Sequence, residues 1–312
     1  MRIATSPPTT NPPNQPSPKP YKATRIRLAG VVALVMLAAL SGCAGAARAR
    51  FDGARALALA AEQMEFGPRP PGSSASFRTS KWITDTLEAT GWAVESHTVQ
   101  YGGVTLRNIV GRRGDSLEGP LVLATHYDTR PVADRDPFNP GAPVPGANDG
   151  ASGVAVLLEL ARVLPEQLTR HQEVWLVFFD GEDSGGLNGW EWHAGASAFT
   201  AQLSKTPQAV VVADMVGEAD LRLPVERNSD PALVEEIWHI AEAQGAKAFV
   251  DEPGTSIIDD HRPFVDRGIP AVNIIDIEYP YWHTTADTLD KLSADSLAQV
   301  GRVLEAWILA RR

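Results

Sequence analysis

The sequence predicts an α/β fold, and three observations carry that expectation. Four runs, "PLVLATHYD", "EVWLVFFD", "QAVVVADMVG" and "IPAVNIIDI", are apolar almost throughout, as strands covered on both faces of a sheet are. Amphipathic segments with helical periodicity alternate with them. The composition is that of a globule, 44% hydrophobic and 21% charged over 312 residues, enough to bury one sizeable core or two small ones.

Taken in order, residues 52–65 and 75–90 have helical periodicity, with the turn "FGPRPPGSS" between them. "WAVESHTVQY" and "LRNIVGRRG" read as extended, followed by the strand "PLVLATHYD". The stretch Thr129–Ala147 is rich in Pro, Asp and Gly, and loops of that length inside a domain are usually functional or disordered. "NDGASGVAVLLELARVL" starts a helix, with Asp149 and Ser152 near its N-terminus and Val154, Leu157, Leu158 and Ala161 on its apolar face. After "EVWLVFFD" come a short helix at "GASAFTAQL", the strand "QAVVVADMVG", a helix over 231–244, the strand "IPAVNIIDI" and a helix over 293–311. No internal repeat is visible, and no linker divides 51–312.

Residues 1–42 stand apart. Seven prolines crowd the first twenty positions, then Lys22, Arg25 and Arg27 precede the apolar run "LAGVVALVMLAAL". This is the layout of a secretory signal, too short for a comfortable membrane span. The "LSGC" that ends it resembles a bacterial lipobox, in which Cys43, the one cysteine of the chain, is lipidated and becomes the mature N-terminus. Residues 43–50 then form a tether. A cysteine-free domain suits an exported protein that needs no disulfide.

The formal net charge is −10, and no basic patch or aromatic-studded basic stripe is present, which argues against nucleic acid as a partner. Without the five basic residues of 1–42 the chain carries 23 Lys and Arg against 38 Asp and Glu, a net −15. Such a protein is held at a membrane by the lipid on Cys43 and not by its charge. The expectation is an exported lipoprotein anchored in the bacterial cell envelope.

The polar residues at the strand ends suggest chemistry. His126 and Asp128 follow "LVLAT", Asp149 precedes a helix, Glu182 and Asp183 follow "VWLVFFD", Asp214 ends "AVVVA", and His283 follows "AVNIIDI". Open α/β sheets bind ligands at that edge. So many carboxylates gathered together raise one another's pKa values unless a cation compensates them. Mixed His and carboxylate ligands suit zinc best. His97, His171 and His239 have no such neighbours and read as surface or packing residues.

In order and spacing, "HYD", "GANDGASGVAVLLELA", "FFDGED", "ADMVG", "DDHRPFVDRGIPA" and "YWHTTADT" resemble the zinc aminopeptidase family that also contains the glutaminyl cyclases. The likeness runs from "FGPRPPGS" to the end. It implies that 51–312 is a single zinc-dependent domain with a mixed, mostly parallel central sheet flanked by helices. It also implies that Asp149, Asp183 and His283 bind one zinc, and that His126 and Asp214 bind a second with Asp149 able to bridge. Asp128 orients that site from behind, and Glu182 is the general base.

The same residues serve two chemistries within the family. An aminopeptidase uses two zincs to activate a water whose proton Glu182 takes. A glutaminyl cyclase uses one zinc, and the α-amine of an N-terminal Gln attacks its own γ-amide while Glu182 carries the proton to departing ammonia. Three features favour the cyclase. Trp282 precedes His283, where an indole can wall a dry pocket; Asp259 stands in "DDH", able to act with Glu182; and the segments around "HYDTRPVADRDP" look like bacterial members of the animal-type cyclases. Trp192 is a further candidate for the pocket wall. Asn273 departs from the histidine of animal-type cyclases. The expected substrate is thus a peptide or protein N-terminus, with a two-zinc aminopeptidase as the alternative. A non-catalytic binding lipoprotein would have lost the base or two ligands, and none is lost.

Overall fold

Successive residues of the central strands serve two different cores, which is why these strands read as apolar throughout. In the computed structural model, which describes residues 16–17, 50–169 and 171–311, Leu121 and Leu123 face one apolar cluster while Val122 and Ala124 face another. The same alternation holds for Leu176 against Val177 and for Val211 against Val212. The first cluster is closed by α1 (Gly53–Met64), α2 (Ser74–Ala89), α3 (Gly153–Val163), α5 (Pro231–Gln244) and α7 (Ala294–Ala310). The second is closed by α4 (Ala194–Ala201) and the short α6 (Arg262–Val265). Helices therefore cover the sheet on both faces.

The sheet has six strands in the order β1 (Ala93–Tyr101), β2 (Val104–Arg113), β4 (Val174–Phe179), β3 (Leu121–His126), β5 (Ala209–Asp214), β8 (Ala271–Ile275). β1 pairs antiparallel with β2, and β2 antiparallel with β4, whereas β4, β3, β5 and β8 run parallel. The sheet is thus mixed and mostly parallel, as expected. β4 and β5 lie on opposite sides of β3, so the chain reverses its direction of travel at β3, where a crevice opens at the carboxyl edge. His126 pairs with Phe179 and Asp214 with Ile275, which brings four strand ends to one rim.

The described residues from 50 onward form one compact unit. The signal, the lipobox with Cys43 and nearly all of the tether fall outside the described residues. Among those described, no helix is long and apolar enough to cross a membrane.

The helix expected to begin at "NDGAS" begins instead at Gly153. Asn148–Ser152 form a kinked turn in which Asp149 (φ −85°, ψ 92°) and Gly150 (φ 102°) leave helical geometry. Glycine is required at 150, because a Cβ there would stand 2.3 Å from the Asp128 carbonyl oxygen. Asn148 and Ser152 spend their side chains on the other strand: Asn148 Oδ1 accepts from the Gly217 amide (2.8 Å) and Ser152 Oγ from Val216 (3.0 Å). The motif therefore locks the end of β5 while turning Asp149 out of the helix. Sequence reading also passed over a small parallel pair, β6 (Leu223–Val225) with β7 (Phe249–Pro253), too short and too polar to show a period.

Asp180, directly after β4, is buried and ties that strand to β2. Its backbone amide donates to Asn108 Oδ1 (3.1 Å), and its Oδ2 accepts from the Arg107 amide (3.0 Å). Burial pushes its carboxyl up to about 8, with Asp128 adding to the effect. In the unfolded chain the same carboxyl ionises near pH ~4. Between these values the folded state holds a proton that the unfolded state gives up, so stability falls as pH rises through that window. Asp180→Asn keeps the acceptor and has no charge to form. Its melting temperature relative to the parent, measured by thermal denaturation in chelator, is expected to rise steadily from pH 5 to pH 8, and an unchanged difference would contradict this.

Candidate metal centre

Each group at the rim arrives by a distinct local device. His126 is the last residue of β3 and Asp214 the last of β5. Glu182 and Asp183 sit on the turn after β4, held by Asp128, whose two carboxylate oxygens accept from the Glu182 amide (3.2 Å) and the Asp183 amide (3.1 Å). Asp149 is held by Asp287, which accepts from the Asn148 and Asp149 amides (2.8 and 3.1 Å) and from the Tyr279 hydroxyl (2.8 Å). His283 follows Trp282 with φ +57°, a left-handed conformation uncommon outside glycine.

These side chains form two triads that share Asp149: His126, Asp149 and Asp214, and Asp149, Asp183 and His283. Within each, one ligand atom per residue lies within 4.8 Å of the others, and all are buried. His126 Nε2 is 2.9 Å from Asp214 Oδ1 and 3.1 Å from Asp149 Oδ1. His283 Nε2 is 3.1 Å from Asp183 Oδ1 and 3.9 Å from Asp149 Oδ2.

The charge balance of the two differs. Burial lowers the basicity of His126, but Asp214, Asp128 and Asp149 outweigh it and hold the imidazole well above its usual range. Burial alone would raise Asp149, yet His126, His283 and Arg130 bring it below the ordinary carboxylate value. Asp183 is pushed well up by burial and then by Asp149, and Asp214 to about 7 by burial against the pull of His126. His283 is lowered to about 4 by burial, with Arg130 and Arg135 adding to it. It is therefore a neutral imidazole near neutral pH. Its Nδ1 lies 3.2 Å from Asp134 Oδ1, a position that favours the ring proton on that side, and Nε2 has no hydrogen-bond partner.

That bare nitrogen is one of several buried atoms without a hydrogen-bond partner. The others in the two triads are His126 Nδ1, Asp149 Oδ2 and both oxygens of Asp183. Two carboxylates and a neutral imidazole, aimed at one point and otherwise unsatisfied, fit a divalent cation, and the oxygen and nitrogen donor set fits zinc.

A cavity of about 300 Å3 opens beside this point. Asp149, Glu182, Asp214, Asp259 and His283 supply its polar lining, and Met215, Ile257, Ile275, Ile277, Trp192 and Trp282 wall it. Trp192 stacks on the His283 ring (6.0 Å between centroids, 11° between planes), and Trp282 touches the same ring at 4.2 Å. Glu182 is pushed well above the usual carboxylate range by burial, with Asp259, Asp260 and Asp183 adding and His126 opposing. Asp259 Oδ2 accepts from Asn273 Nδ2 at 2.5 Å.

A family model for peptidase family M28 matches residues 108–308. The chain belongs to that family. A glutaminyl-peptide cyclotransferase-like protein of Mus musculus is 27% identical over 281 residues, covering 77% of this chain and 71% of its own length. Among solved structures, a glutaminyl cyclase of Bacteroides thetaiotaomicron bound to N-acetylhistamine superposes with a TM-score of 0.79 at 31% identity, over 85% of this chain and all of that one. A Zn-dependent exopeptidase of Parabacteroides distasonis superposes with a TM-score of 0.78 at 29% identity, again over 85% of this chain and all of the other.

All ten residues singled out from the family likeness surround this one M28 cavity or its two triads. Asp128 is the one whose geometry differs from expectation. It stands 3.6 Å from His126 Nδ1, outside hydrogen-bond reach, and holds the Glu182–Asp183 turn instead. Four supporting residues escaped the sequence reading. Asp287 is the penultimate residue of the "YWHTTADT" motif itself, four residues after His283. Asp134 orients His283, and Arg130 pairs with Asp134 while donating to the Asp183 and Gly185 carbonyls (3.1 and 3.0 Å). Arg69 is fully buried, and donates to the carbonyls of Tyr127 (3.0 Å), Pro145 (3.0 Å) and Gly146 (2.6 Å), clamping both ends of the 129–147 loop. Only the length of that loop hinted at Asp134.

Because Asp134 fixes the tautomer and ring orientation of His283, Asp134→Ala is expected to weaken zinc binding by about 10–100-fold, with the far-UV circular dichroism unchanged. Competition against a chromophoric chelator measures it, and an unaltered affinity would remove Asp134 from this role.

Proposed function

We propose that this protein is a zinc-dependent glutaminyl-peptide cyclotransferase, converting the N-terminal Gln of peptides or proteins to pyroglutamate with release of ammonia. The observation that carries the reading is the unequal condition of the two triads. Asp149 Oδ2, both oxygens of Asp183 and His283 Nε2 have no hydrogen-bond partner, whereas His126 Nε2 is hydrogen-bonded to Asp214 at 2.9 Å. In one triad the inward histidine nitrogen is unpartnered and in the other it is hydrogen-bonded, which supports one zinc, held by Asp149, Asp183 and His283. The small cavity, walled by two indoles and aliphatic side chains, suits a reaction that needs a shaped dry pocket and no activated water.

The zinc supplies electrophilic polarisation of the γ-carbonyl. Trp192 and Trp282 flank the glutamine side chain and fold it toward its own amine. Intramolecular attack then gains the large advantage of proximity. Glu182, facing the cavity with raised proton affinity, takes a proton from the α-amine as the new N–C bond forms. It returns that proton to the amide nitrogen as the old C–N bond breaks and ammonia leaves. Asp259, fixed by the Asn273 amide, faces the same cavity as a hydrogen-bond acceptor for the substrate amine or the departing ammonia.

A two-zinc aminopeptidase is the second reading, favoured by the ligand spacing of His126, Asp149 and Asp214. The two are separated by assaying protein of measured zinc content on Gln-initiated and Leu-initiated peptides. Ammonia release with one zinc per chain is expected, and Glu182→Gln is expected to lower kcat by about 10²–10⁴-fold with zinc retained. Free amino acid release with two zincs would replace the cyclase by the aminopeptidase.

We also propose that the protein is exported and anchored by lipid on Cys43, on the strength of the "LSGC" sequence after a basic and apolar leader. Cys43→Ser is expected to move the protein from the membrane pellet to the soluble envelope fraction on cell fractionation. Retention in the pellet would refute the lipid anchor.

A further inference from the structure

We infer that Arg135 is a specificity residue that reads the charge of the substrate residue following the N-terminal one, and that it selects acidic side chains there. The inference rests on the active cavity proposed above and concerns what lies just outside it. The cavity holds the first residue of a peptide, so the second must leave past its wall. Trp282 is a half-buried part of that wall, as Trp192, Ile257 and Ile277 are. Among the described residues it alone of these carries an exposed cation, the Arg135 guanidinium lying over its ring at 3.9 Å from the centroid.

Arg135 is exposed, and no carboxylate of the described residues lies within ion-pairing distance of its side chain. The carboxylates beside it in sequence are both committed. Asp134 pairs with Arg130 and His283, and Asp136 accepts from the Thr285 amide (2.9 Å) and from the Phe138 and Asn139 amides (2.8 and 2.9 Å). The charge of Arg135 is therefore unspent.

Its position is fixed as well as free. The Arg135 amide donates to the His283 carbonyl at 3.2 Å, so the backbone of this loop is registered against the turn that carries Trp282 and His283. Stacking of the guanidinium on the indole limits the rotamers that a long side chain would otherwise explore. A pre-placed cation loses less entropy on meeting a carboxylate than a mobile one. The carboxyl groups lining the cavity, Asp149, Glu182, Asp214 and Asp259, bring no positive charge, and Thr255, Ser256, Ile257 and Ile258 are uncharged. In a chain of net charge −10, an acidic peptide is repelled at long range, and Arg135 supplies local attraction at the cavity wall.

The test compares kcat/KM on C-terminally amidated peptides that begin Gln-Glu, Gln-Ala and Gln-Lys, with a parallel Leu-Glu, Leu-Ala and Leu-Lys series. The parent is expected to prefer Glu over Lys at the second position by about two- to five-fold, the range of an exposed ion pair, and to lose much of that preference in high salt. Arg135→Ala brings the ratio near one, Arg135→Lys keeps its direction, and Arg135→Glu inverts it. If Arg135→Ala lowers turnover of every peptide equally and leaves the ratio as it was, Arg135 only braces Trp282 and the inference falls. A parent with no preference also overturns it. Turnover of the Leu series in place of the Gln series would refute the cyclase reading while leaving the Arg135 ratio readable. If neither series turns over, the ratio of peptide affinities from tryptophan fluorescence decides in the same way.

Discussion

Eight carboxyl groups buried at one end of a sheet are the constraint that the rest of this structure answers. Asp128, Asp149, Glu182, Asp183, Asp214, Asp259, Asp260 and Asp287 are all nearly or wholly buried. Left to themselves they would protonate or force the fold apart. Three kinds of compensation are visible. Backbone amides satisfy Asp128 and Asp287, which thereby serve as struts. His126 sits between Asp149 and Asp214, and Arg69 and Arg130 bring buried positive charge to the loops around the rim. What remains without hydrogen-bond partners is Asp260, left with a raised proton affinity by its burial, and Asp183 with one oxygen of Asp149, opposite a bare imidazole nitrogen. The metal requirement is thus a remainder, fixed by where the protein's own cations and amides stop.

The rim is rigid because segments distant in sequence are stitched residue against residue. Asp134 meets His283 through its ring, Arg135 meets it through the backbone and Trp282 through the guanidinium, and Asp136 meets Thr285. A loop rich in Pro, Asp and Gly reads as a place of freedom, yet this one is a strap. Arg69 closes its base with hydrogen bonds to carbonyls on both sides. Such a strap holds His283 in a left-handed conformation that an isolated chain would seldom adopt.

Legibility in the sequence followed physical range. The strands were readable because burial on both faces is written in continuous runs such as "EVWLVFFD", and the helices because their faces repeat locally. Metal-ligand candidates were readable because carboxylates and histidines at strand ends lack any role in an apolar core. Asp134, Arg130 and Arg69 were not readable, since each acts across tens of residues on a group that gives no local sign of needing it. Asp128 shows the limit from the other side. Its spacing from His126 suggested one partner, and only the turn after β4 revealed that two amides compete for it successfully. The kink at Asp149 was hidden for a similar reason, because Gly150 resembles any helix-start glycine until the Asp128 carbonyl is placed beside it.

Asn273 bears on how the proton is handled. Its amide donates to Asp259 through Nδ2, and an amide neither gains nor loses a proton near neutral pH. Where animal-type cyclases have a histidine at this point, a proton could in principle pass beyond the carboxylate; here the chain of titratable groups through Asp259 ends at an amide. Asp259 is then a fixed acceptor, oriented and unable to export charge through that contact. Its effect on Glu182 is electrostatic, raising the proton affinity of a group already raised by burial. Beyond Asp259 this contact offers no further proton carrier, which favours a route confined to Glu182 and the substrate's two nitrogens. That confinement suits a reaction in which the proton lost by the amine is the one the leaving ammonia requires.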